Sequence, residues 1–261
     1  GMNMQPKEVK KKKLCPVSSK CGGCQWINKS YEEQLQVKST IFRKLMEPYC
    51  RPEHIIAMEE PAHYRNKVHA AFGEDRRHNV ISGIYEPKSH RIVPVDRCLI
   101  ENRKADEIIV SIRGLLKSFK IRPYDEDSGY GLLRHVLIRI GHVTGQIMVV
   151  LVLSSPIMPS KNNFVKALLK VHPEITTIVQ NINGRGTSMV LGEKEHILYG
   201  KGYIEDKLCG CIFRISSKSF YQVNPVQTEK LYKKAISLAQ ISEGDRVIDA
   251  YCGVGTIGLI A

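Results

Sequence analysis

Alternating hydrophobic and polar positions dominate the middle of the chain and predict a set of β-strands. KVHAAF at 67–72 and NVISGIY at 79–85 alternate as antiparallel strands do. LLRHVLIRIG and GQIMVVLVL lie on either side of a short link with flanking glycines, a pattern typical of a hairpin. After residue 160 the pattern predicts a short helix, the strand TTIVQNIN and several brief strands to about residue 215. We therefore expect an α+β central domain.

Helical periodicity appears in three other places. Ser30 and Glu33 form a capping box pattern ahead of a helix that we expect to run to about Tyr49. A second helix is predicted around 105–119, and a third begins at Pro225. The apolar stripes of the three helices comprise Leu35, Phe42, Leu45 and Met46; Ala105, Ile108, Ile109, Ile112, Leu115, Leu116 and Phe119; and Leu231, Ala235, Leu238 and Ala239.

The last residues predict the opening of another domain. DRVIDA reads as a buried strand, and it is followed directly by the glycine-rich YCGVGTIGLIA. A strand, a glycine-rich turn and a helix start are how a doubly wound, Rossmann-like α/β domain begins. We expect a basic tail at 1–14, a cysteine loop and helix at 15–50, the central domain at 51–215, and at 216–261 an incomplete α/β domain, so that the chain is truncated.

The charge balance favours a nucleic acid partner. The chain carries a net charge of +13, which attracts phosphates. The longest apolar run, Ile147–Leu153, is far shorter than a membrane span. We expect a cytoplasmic protein that binds nucleic acid rather than membrane.

Three cysteines follow the pattern Cys15-x5-Cys21-x2-Cys24 in one loop. In a reducing compartment such a group reads as a metal or cofactor site before it reads as disulfides. A fourth thiolate is needed, and Cys98 in PVDRCLI is the best placed of the remaining cysteines. Tetrahedral zinc and an iron-sulfur cluster both fit this spacing, and unligated thiols are the plain alternative.

The glycine-rich turn has the chemistry of a cofactor site. Gly253 and Gly255 fit the dinucleotide fingerprint formally. Asp249, at the end of the predicted strand, gives the pattern D-x-x-x-G-x-G, which suits a turn that seats S-adenosylmethionine. A glycine turn that only packs is the alternative.

Basic residues on the predicted strands are candidates for contact with nucleic acid phosphates. Arg65 and Lys67 are two positions apart, so a strand would point both side chains the same way. Arg134 and His135 point in opposite directions, so at most one of them faces a bound nucleic acid, and Arg139 follows on the same strand. Solvated surface charge is the alternative for all of them.

With these motifs in hand, the sequence resembles the RNA (uracil-5-)methyltransferase family, in particular its iron-sulfur members that act on 23S ribosomal RNA. CPVSSKCGGCQW resembles the cluster loop, PVDRC the separate fourth cysteine, SFYQVN the segment that leads into the cofactor domain, and DAYCGVGTIGLIA the first cofactor motif.

The resemblance implies a [4Fe-4S] cluster on Cys15, Cys21, Cys24 and Cys98. It also implies S-adenosylmethionine contacts from Gln222, Tyr251 and Thr256, beside Asp249, Gly253 and Gly255 of the turn. The family's nucleophilic cysteine and general base lie beyond the first cofactor motif, so no catalytic residue is expected in this chain, and Cys252 is not the nucleophile. The fragment alone is expected to be inactive.

The expected partner is 23S ribosomal RNA. We expect no binding to DNA, and we expect the protein to be a monomer. Two alternatives stay open. One is a non-catalytic iron-sulfur RNA-binding protein, and the other is the same chemistry on transfer RNA.

Overall fold

The computed structural model describes residues 14–261. The predicted basic tail at 1–14 therefore lies, apart from Leu14, outside the described residues. The chain divides into two compact units, the first ending at Ala57 and the second running from Met58 to Ala261. None of the helices formed by the described residues has the length and hydropathy of a membrane span.

The first unit contains the cysteine loop and one helix, α1 (Tyr31–Met46). The predicted capping box is present, because the backbone N–H of Glu33 donates to Ser30 Oγ and the N–H of Ser30 donates to the Glu33 carboxylate. No residue of α1 is buried, and Phe42 and Leu45 of the predicted stripe are exposed. Capping within the helix, rather than packing of its apolar face, fixes where α1 begins.

The second unit is built on a seven-stranded mixed sheet. The strands of this sheet, in the spatial order β3-β2-β1-β4-β5-β6-β7, are β1 (Lys67–Glu74), β2 (Val80–Tyr85), β3 (Ile92–Pro94), β4 (Leu133–Ile140), β5 (Ile147–Leu153), β6 (Thr177–Ile182) and β7 (Lys194–Tyr199). The predicted hairpin is confirmed as the antiparallel pair β4 and β5. The β5–β6 pair is parallel and the other pairs are antiparallel.

Two helices cover one face of this sheet, α2 (Arg103–Ser118) and α3 (Lys161–Val171). Their buried residues, such as Ile108, Ile112 and Leu168, pack with Val136 and Val149 of β4 and β5. The helical stripe predicted around 105–119 is thus the inner face of α2, whose first turn is capped by Asn102. Burial of this apolar area is the main stabilising term for the unit.

The opposite face is covered over β5 and β6 by a second layer. This layer consists of the hairpin β8 (Ile204–Leu208) and β9 (Cys211–Ile215), together with helix α4 (Pro225–Ala239). Phe213, Tyr221 and Tyr232 pack there with Val150 and Val152 of β5. The buried side of α4 carries Tyr232 and Thr228, so the predicted stripe is not its packed face, and Leu231 and Leu238 are exposed.

The prediction of a buried strand for DRVIDA was wrong. Residues 246–249 form no strand, and Val247 and Ile248 are exposed. No strand of the described chain pairs with this segment, and a strand needs a neighbour to satisfy its backbone groups. The expected helix start after the glycines is present as the short α5 (Thr256–Ile260).

Candidate functional site

The glycine-rich turn between residues 249 and 258 brings most of the predicted cofactor residues together. Its backbone turns through positive φ at Tyr251 (59°), Gly253 (58°) and Gly255 (77°). The carboxylate of Asp249 accepts the backbone N–H of Gly258 at 3.0 Å. A Cβ at Gly258 would lie 2.7 Å from Asp249 Oδ2, so a larger residue at this position would have to displace the Asp249 carboxylate. The predicted acid therefore fixes the turn in this structure.

The same turn is open to solvent on one side. Tyr251 is fully exposed, and Ile248 is 89% exposed. Thr256, in contrast, is held from below, because its Oγ1 lies 3.1 Å from the hydroxyl of Tyr232 on α4. The turn is thus open to solvent on one side and contacts α4 on the other.

Gln222, the remaining predicted cofactor residue, lies in the segment 219–224 (SFYQVN). This segment is fixed across the ends of β1 and β4. Asn66 donates from Nδ2 to the Gln222 carbonyl and from its backbone N–H to the Val223 carbonyl, both at 3.1 Å. Arg139 Nη2 donates to the Ser219 carbonyl.

Helix α4 starts where this segment ends. Asn224 Oδ1 accepts the N–H of Gln227 at 3.2 Å and so caps the helix. Two turns further on, Tyr232 reaches Thr256. Gln222 and the glycine turn are therefore linked through one capped helix, although they are far apart in sequence.

Two of the predicted RNA contacts, Arg65 and Lys67, lie at the end of β1 next to that segment. Both are half-buried, and Arg65 Nε donates to the Lys67 carbonyl at 3.4 Å. Lys67 lies opposite Arg139 in the antiparallel register. Burial, and then the charges of Arg139 and Arg65, lower the pKa of Lys67. Their positive charges are therefore concentrated at one place on the sheet.

Arg134, the third predicted RNA contact, is buried, with 1% of its surface exposed. Its guanidinium binds both carboxylate oxygens of Glu126 and donates to the carbonyls of Asn183 and Arg185. Its Cζ also lies 4.5 Å from the centre of the Tyr124 ring. A guanidinium with these partners is a structural ion pair, so this structure gives Arg134 no surface with which to contact RNA. The strand alternation did not indicate this because β4 is a central strand whose two faces are both buried.

Two histidines, the half-buried His69 and the buried His135, form a pair on the face of β1 and β4 that carries Lys67. His69 Nε2 and His135 Nδ1 are 3.0 Å apart, which requires one ring to donate and the other to accept. Burial lowers the pKa of His69 to about 4 and that of His135 to about 3. Both rings are therefore neutral at pH 7 and add no charge to the basic end of the sheet.

The cysteine loop has the donors of a soft-metal site. Cys15, Cys21 and Cys24 are half-buried, and all eight cysteines of the chain are thiols rather than disulfides. The N–H of Gly23 donates to Cys21 Sγ at 3.4 Å, the kind of bond that stabilises a thiolate. The donor types fit an iron-sulfur cluster. Within residues 14–261, however, no three His, Cys, Asp or Glu side chains converge as metal ligands.

Cys98, the predicted fourth ligand, lies in the second unit just before α2. Its backbone N–H donates to Asp106 Oδ2 at 2.8 Å. Burial raises the pKa of its thiol to about 11, and burial followed by a hydrogen bond with Asp106 raises the pKa of Glu101 nearby to about 8. In this environment the thiol is protonated at neutral pH.

Sequence reasoning missed the residues that tie these parts together. Asn66 and Tyr232 make the decisive hydrogen bonds, yet neither belongs to a recognisable motif. Arg139 was visible as a basic strand residue, but its position opposite Lys67 depends on the strand register. The alternation of KVHAAF and LLRHVLIRIG was the available signal. It indicates which side chains share a face of the sheet, but not which residues of the two strands lie opposite each other.

Comparison with known proteins places this arrangement in a family. Residues 30–261 match the model of the tRNA (Uracil-5-)-methyltransferase family. A protein of Oceanobacillus iheyensis described as an uncharacterized RNA methyltransferase is 44% identical over 92% of this chain and 53% of its own length. Another so described, from Clostridium acetobutylicum, is 43% identical over 94% of this chain and 55% of its own.

The fold has a counterpart among solved structures. The crystal structure of Pyrococcus abyssi tRNA (uracil-54, C5)-methyltransferase in complex with S-adenosyl-L-homocysteine matches with a TM-score of 0.74 and 25% identity, over 94% of this chain and 56% of that one. The mixed α/β fold is therefore that of a methyltransferase structure. The chain spans about half the length of the curated relatives it matches. On the family match, which extends over residues 30–261, the chain belongs to the tRNA (Uracil-5-)-methyltransferase family.

Proposed function

We propose that this chain is part of an enzyme that transfers a methyl group from S-adenosylmethionine to C5 of a uracil in RNA. The observation that carries the proposal is the family match, because it includes both the 219–224 segment and the glycine turn at 249–258. The linkage of these two parts through α4 supports it, since both parts would contact the same cofactor.

The chemistry explains what such an enzyme must supply. C5 of uracil is a poor nucleophile until a thiolate adds at C6 and forms an enolate. The enolate carbon then takes the electrophilic methyl group that S-adenosylmethionine supplies. A base removes the C5 proton, and the thiolate leaves as the C5–C6 double bond is restored. The resemblance assigns neither the thiolate nor the base to residues of this chain.

The proposed part of this chain is to hold the cofactor and the RNA. Gln222, Tyr251 and Thr256 would contact S-adenosylmethionine, with Asp249, Gly253 and Gly255 shaping the turn. Arg65 and Lys67 would contact RNA phosphates. The target nucleotide must leave its stack to reach such a site, and contacts to the flanking backbone help to hold it there.

For the substrate, we propose 23S ribosomal RNA. The support is the cysteine loop, which resembles that of the iron-sulfur members of the family. Transfer RNA is the second candidate, because the name of the family model and that of the Pyrococcus abyssi structure both refer to tRNA.

One experiment addresses both the reaction and the substrate. The full-length gene product is incubated with methyl-tritiated S-adenosylmethionine and either 23S ribosomal RNA or total tRNA, each from a strain that lacks the gene. Nuclease digestion and mass spectrometry then identify the nucleoside. Label in 5-methyluridine of 23S RNA is the expected result, and label only in tRNA would reverse the substrate assignment. Label in another nucleoside, or in none, would overturn the proposed reaction.

We also propose that Cys15, Cys21, Cys24 and Cys98 hold a [4Fe-4S] cluster with a structural role. The chemistry of the four thiols supports this, since thiolates are the usual ligands of such clusters. Protein purified without oxygen should contain about four iron and four acid-labile sulfide per chain. A colourless protein that retains one zinc would contradict the proposal. Cys98→Ser should lower thermal stability, while Cys50→Ser, at an exposed thiol outside the set, should not.

A further inference from the structure

Three positive side chains meet at one end of β1 and β4. Lys67 and Arg139 are directly opposed in the antiparallel register, so their side chains lie on the same face of the sheet. Arg65 is two residues before Lys67 and bonds to its carbonyl. None of the ion pairs formed within residues 14–261 involves any of the three. Opposed like charges without a counterion destabilise a strand pair, so their retention needs another explanation.

Arg139 is the clearest example, among the described residues, of a positive charge without an anionic partner. It is 4% exposed, and its Nε is buried without a hydrogen-bond partner. Its Nη2 donates to a backbone carbonyl, that of Ser219, rather than to a carboxylate. A buried guanidinium without an anion is costly, and Arg134 on the same strand shows how the fold satisfies one that serves structure. Arg139 is left with unused charge and an unused donor.

The position of the three residues indicates what kind of anion they meet. Ser219, which accepts from Arg139, opens the segment that contains Gln222. Asn66, between Arg65 and Lys67 in sequence, holds the Gln222 carbonyl. An anion bound here would therefore lie beside the segment to which we assign the cofactor.

We propose that Arg65, Lys67 and Arg139 form a phosphate-binding site for the RNA backbone next to the target nucleotide. Lys67 and Arg65, which are half-exposed, contact the phosphodiester directly. Arg139 lies behind them, supplies charge, and couples the bound phosphate to the 219–224 segment. This inference rests on the proposed function, since it takes RNA as the ligand.

Salt-dependent RNA binding tests the site. Fluorescence anisotropy measures the affinity of the full chain for a labelled uridine decamer between 50 and 300 mM salt. Lys67→Gln should weaken binding and reduce the slope of log affinity against log salt by about 0.7, the value for one contact on a single strand. Arg139→Gln should act in the same direction, and Arg139→Lys should restore part of the slope. A set of decamers, each with one uncharged methylphosphonate linkage at a different position, locates the contacted phosphate. At one position the uncharged linkage should weaken binding to wild type but leave binding to Lys67→Gln unchanged.

The control is Lys166→Gln, an exposed lysine on α3, which covers the opposite face of the sheet. Thermal unfolding of each variant checks folding, and Lys67→Gln stands alone if Arg139→Gln fails to fold. If wild type binds the decamer and Lys67→Gln behaves like Lys166→Gln, the site is wrong and the proposed function stands. If wild type binds no RNA at 50 mM salt, the RNA-binding role proposed for this chain fails, and the site with it.

Discussion

Arg134 and Arg139 lie on one strand, and their surroundings give them opposite roles. Arg134 has a bidentate carboxylate and two carbonyls, whereas Arg139 has one carbonyl and a buried Nε without a partner. Both are nearly inaccessible to solvent. Partners, rather than residue type or burial, therefore separate a structural arginine from one available to a ligand.

Removal of Arg134 should destabilise the protein without changing how it binds RNA. Arg134→Ala leaves the Glu126 carboxylate, which is 16% exposed, without its cation, and breaking a buried pair costs roughly 3 kcal/mol. Urea unfolding measures the change. Glu229→Gln, which removes an exposed i,i+4 pair with Lys233, should cost less than about 1 kcal/mol. If Arg134→Ala has the urea midpoint of wild type but a smaller slope of log RNA affinity against log salt, Arg134 contacts RNA and the prediction is wrong.

The His69–His135 pair should make stability depend on pH. Unfolded histidine takes up a proton near pH 6.5, but these rings stay neutral in the fold down to about pH 4 and 3. Their contribution to the free energy of unfolding is therefore fully present above pH 6.5 and is lost as the pH falls toward 4. For one ring, the loss is up to about 1.4 kcal/mol per pH unit.

Comparison of variants isolates this effect from other titrating groups. His135→Gln should flatten the decline of the urea midpoint between pH 7 and pH 5, and His78→Gln, at a side chain that is 83% exposed, should not. Parallel curves for His135→Gln and wild type would show that the pair does not titrate as described.

The sequence shows residue types well but not their partners. Asp249 and the glycines were found because the turn is local. The burial of Arg134 and the contact of Tyr232 with Thr256 were not, because they depend on residues distant in the chain. Local geometry leaves a pattern in the sequence, whereas long-range pairing does not.

At the scale of elements, a single acid attaches the β8–β9 hairpin to the sheet. Asp206 on β8 is fully buried and accepts the backbone N–H groups of His142, Val143 and Thr144 in the β4–β5 turn. Carboxylate acceptors of this kind make charge-assisted bonds that are stronger than neutral ones. The turn and the hairpin therefore hold each other in place.

Asp206→Asn should loosen this attachment. An amide offers one acceptor oxygen in place of two and carries no charge, so its hydrogen bonds with the three N–H groups are fewer and weaker, and we expect a loss of about 2 kcal/mol. Hydrogen exchange at 142–144 should quicken with it. Glu205→Gln, at the neighbouring residue whose pair with Arg214 is exposed, is the matched control. Unchanged exchange in Asp206→Asn would show that apolar packing alone holds the hairpin.

The existence of elements was predicted more reliably than their packing. The capping box, the β4–β5 pair and the amphipathic α2 are local patterns, and each was confirmed. The segment 246–249 failed as a strand because hydrophobicity indicates only what a segment would bury if it had a neighbour. The parallel pairing of β5 with β6 likewise leaves no local signal.

On the scale of the whole molecule, the open side of the turn that we propose contacts S-adenosylmethionine implies weak cofactor binding by this chain. Small-molecule sites bury most of the ligand surface, whereas Tyr251 and Ile248 of the turn are open to solvent. Calorimetry should find binding of S-adenosylmethionine to the 261-residue chain weaker than about 100 µM, and tritium transfer to RNA should be undetectable. Micromolar binding would show that these residues suffice for the site.

The order of the seven-stranded sheet has a consequence for self-association. Its outermost strands are β3, which has three residues and includes Pro94, and β7, which opens with Lys194 and Glu195 and pairs irregularly with β6. Proline has no N–H to offer an incoming strand, and charges on a border strand oppose stacking with another copy. Both margins of the sheet are therefore poor templates for intermolecular β-pairing. The apolar strand IMVVLVL, whose composition is typical of fibril-forming segments, is paired on both sides within the sheet and lies away from both margins.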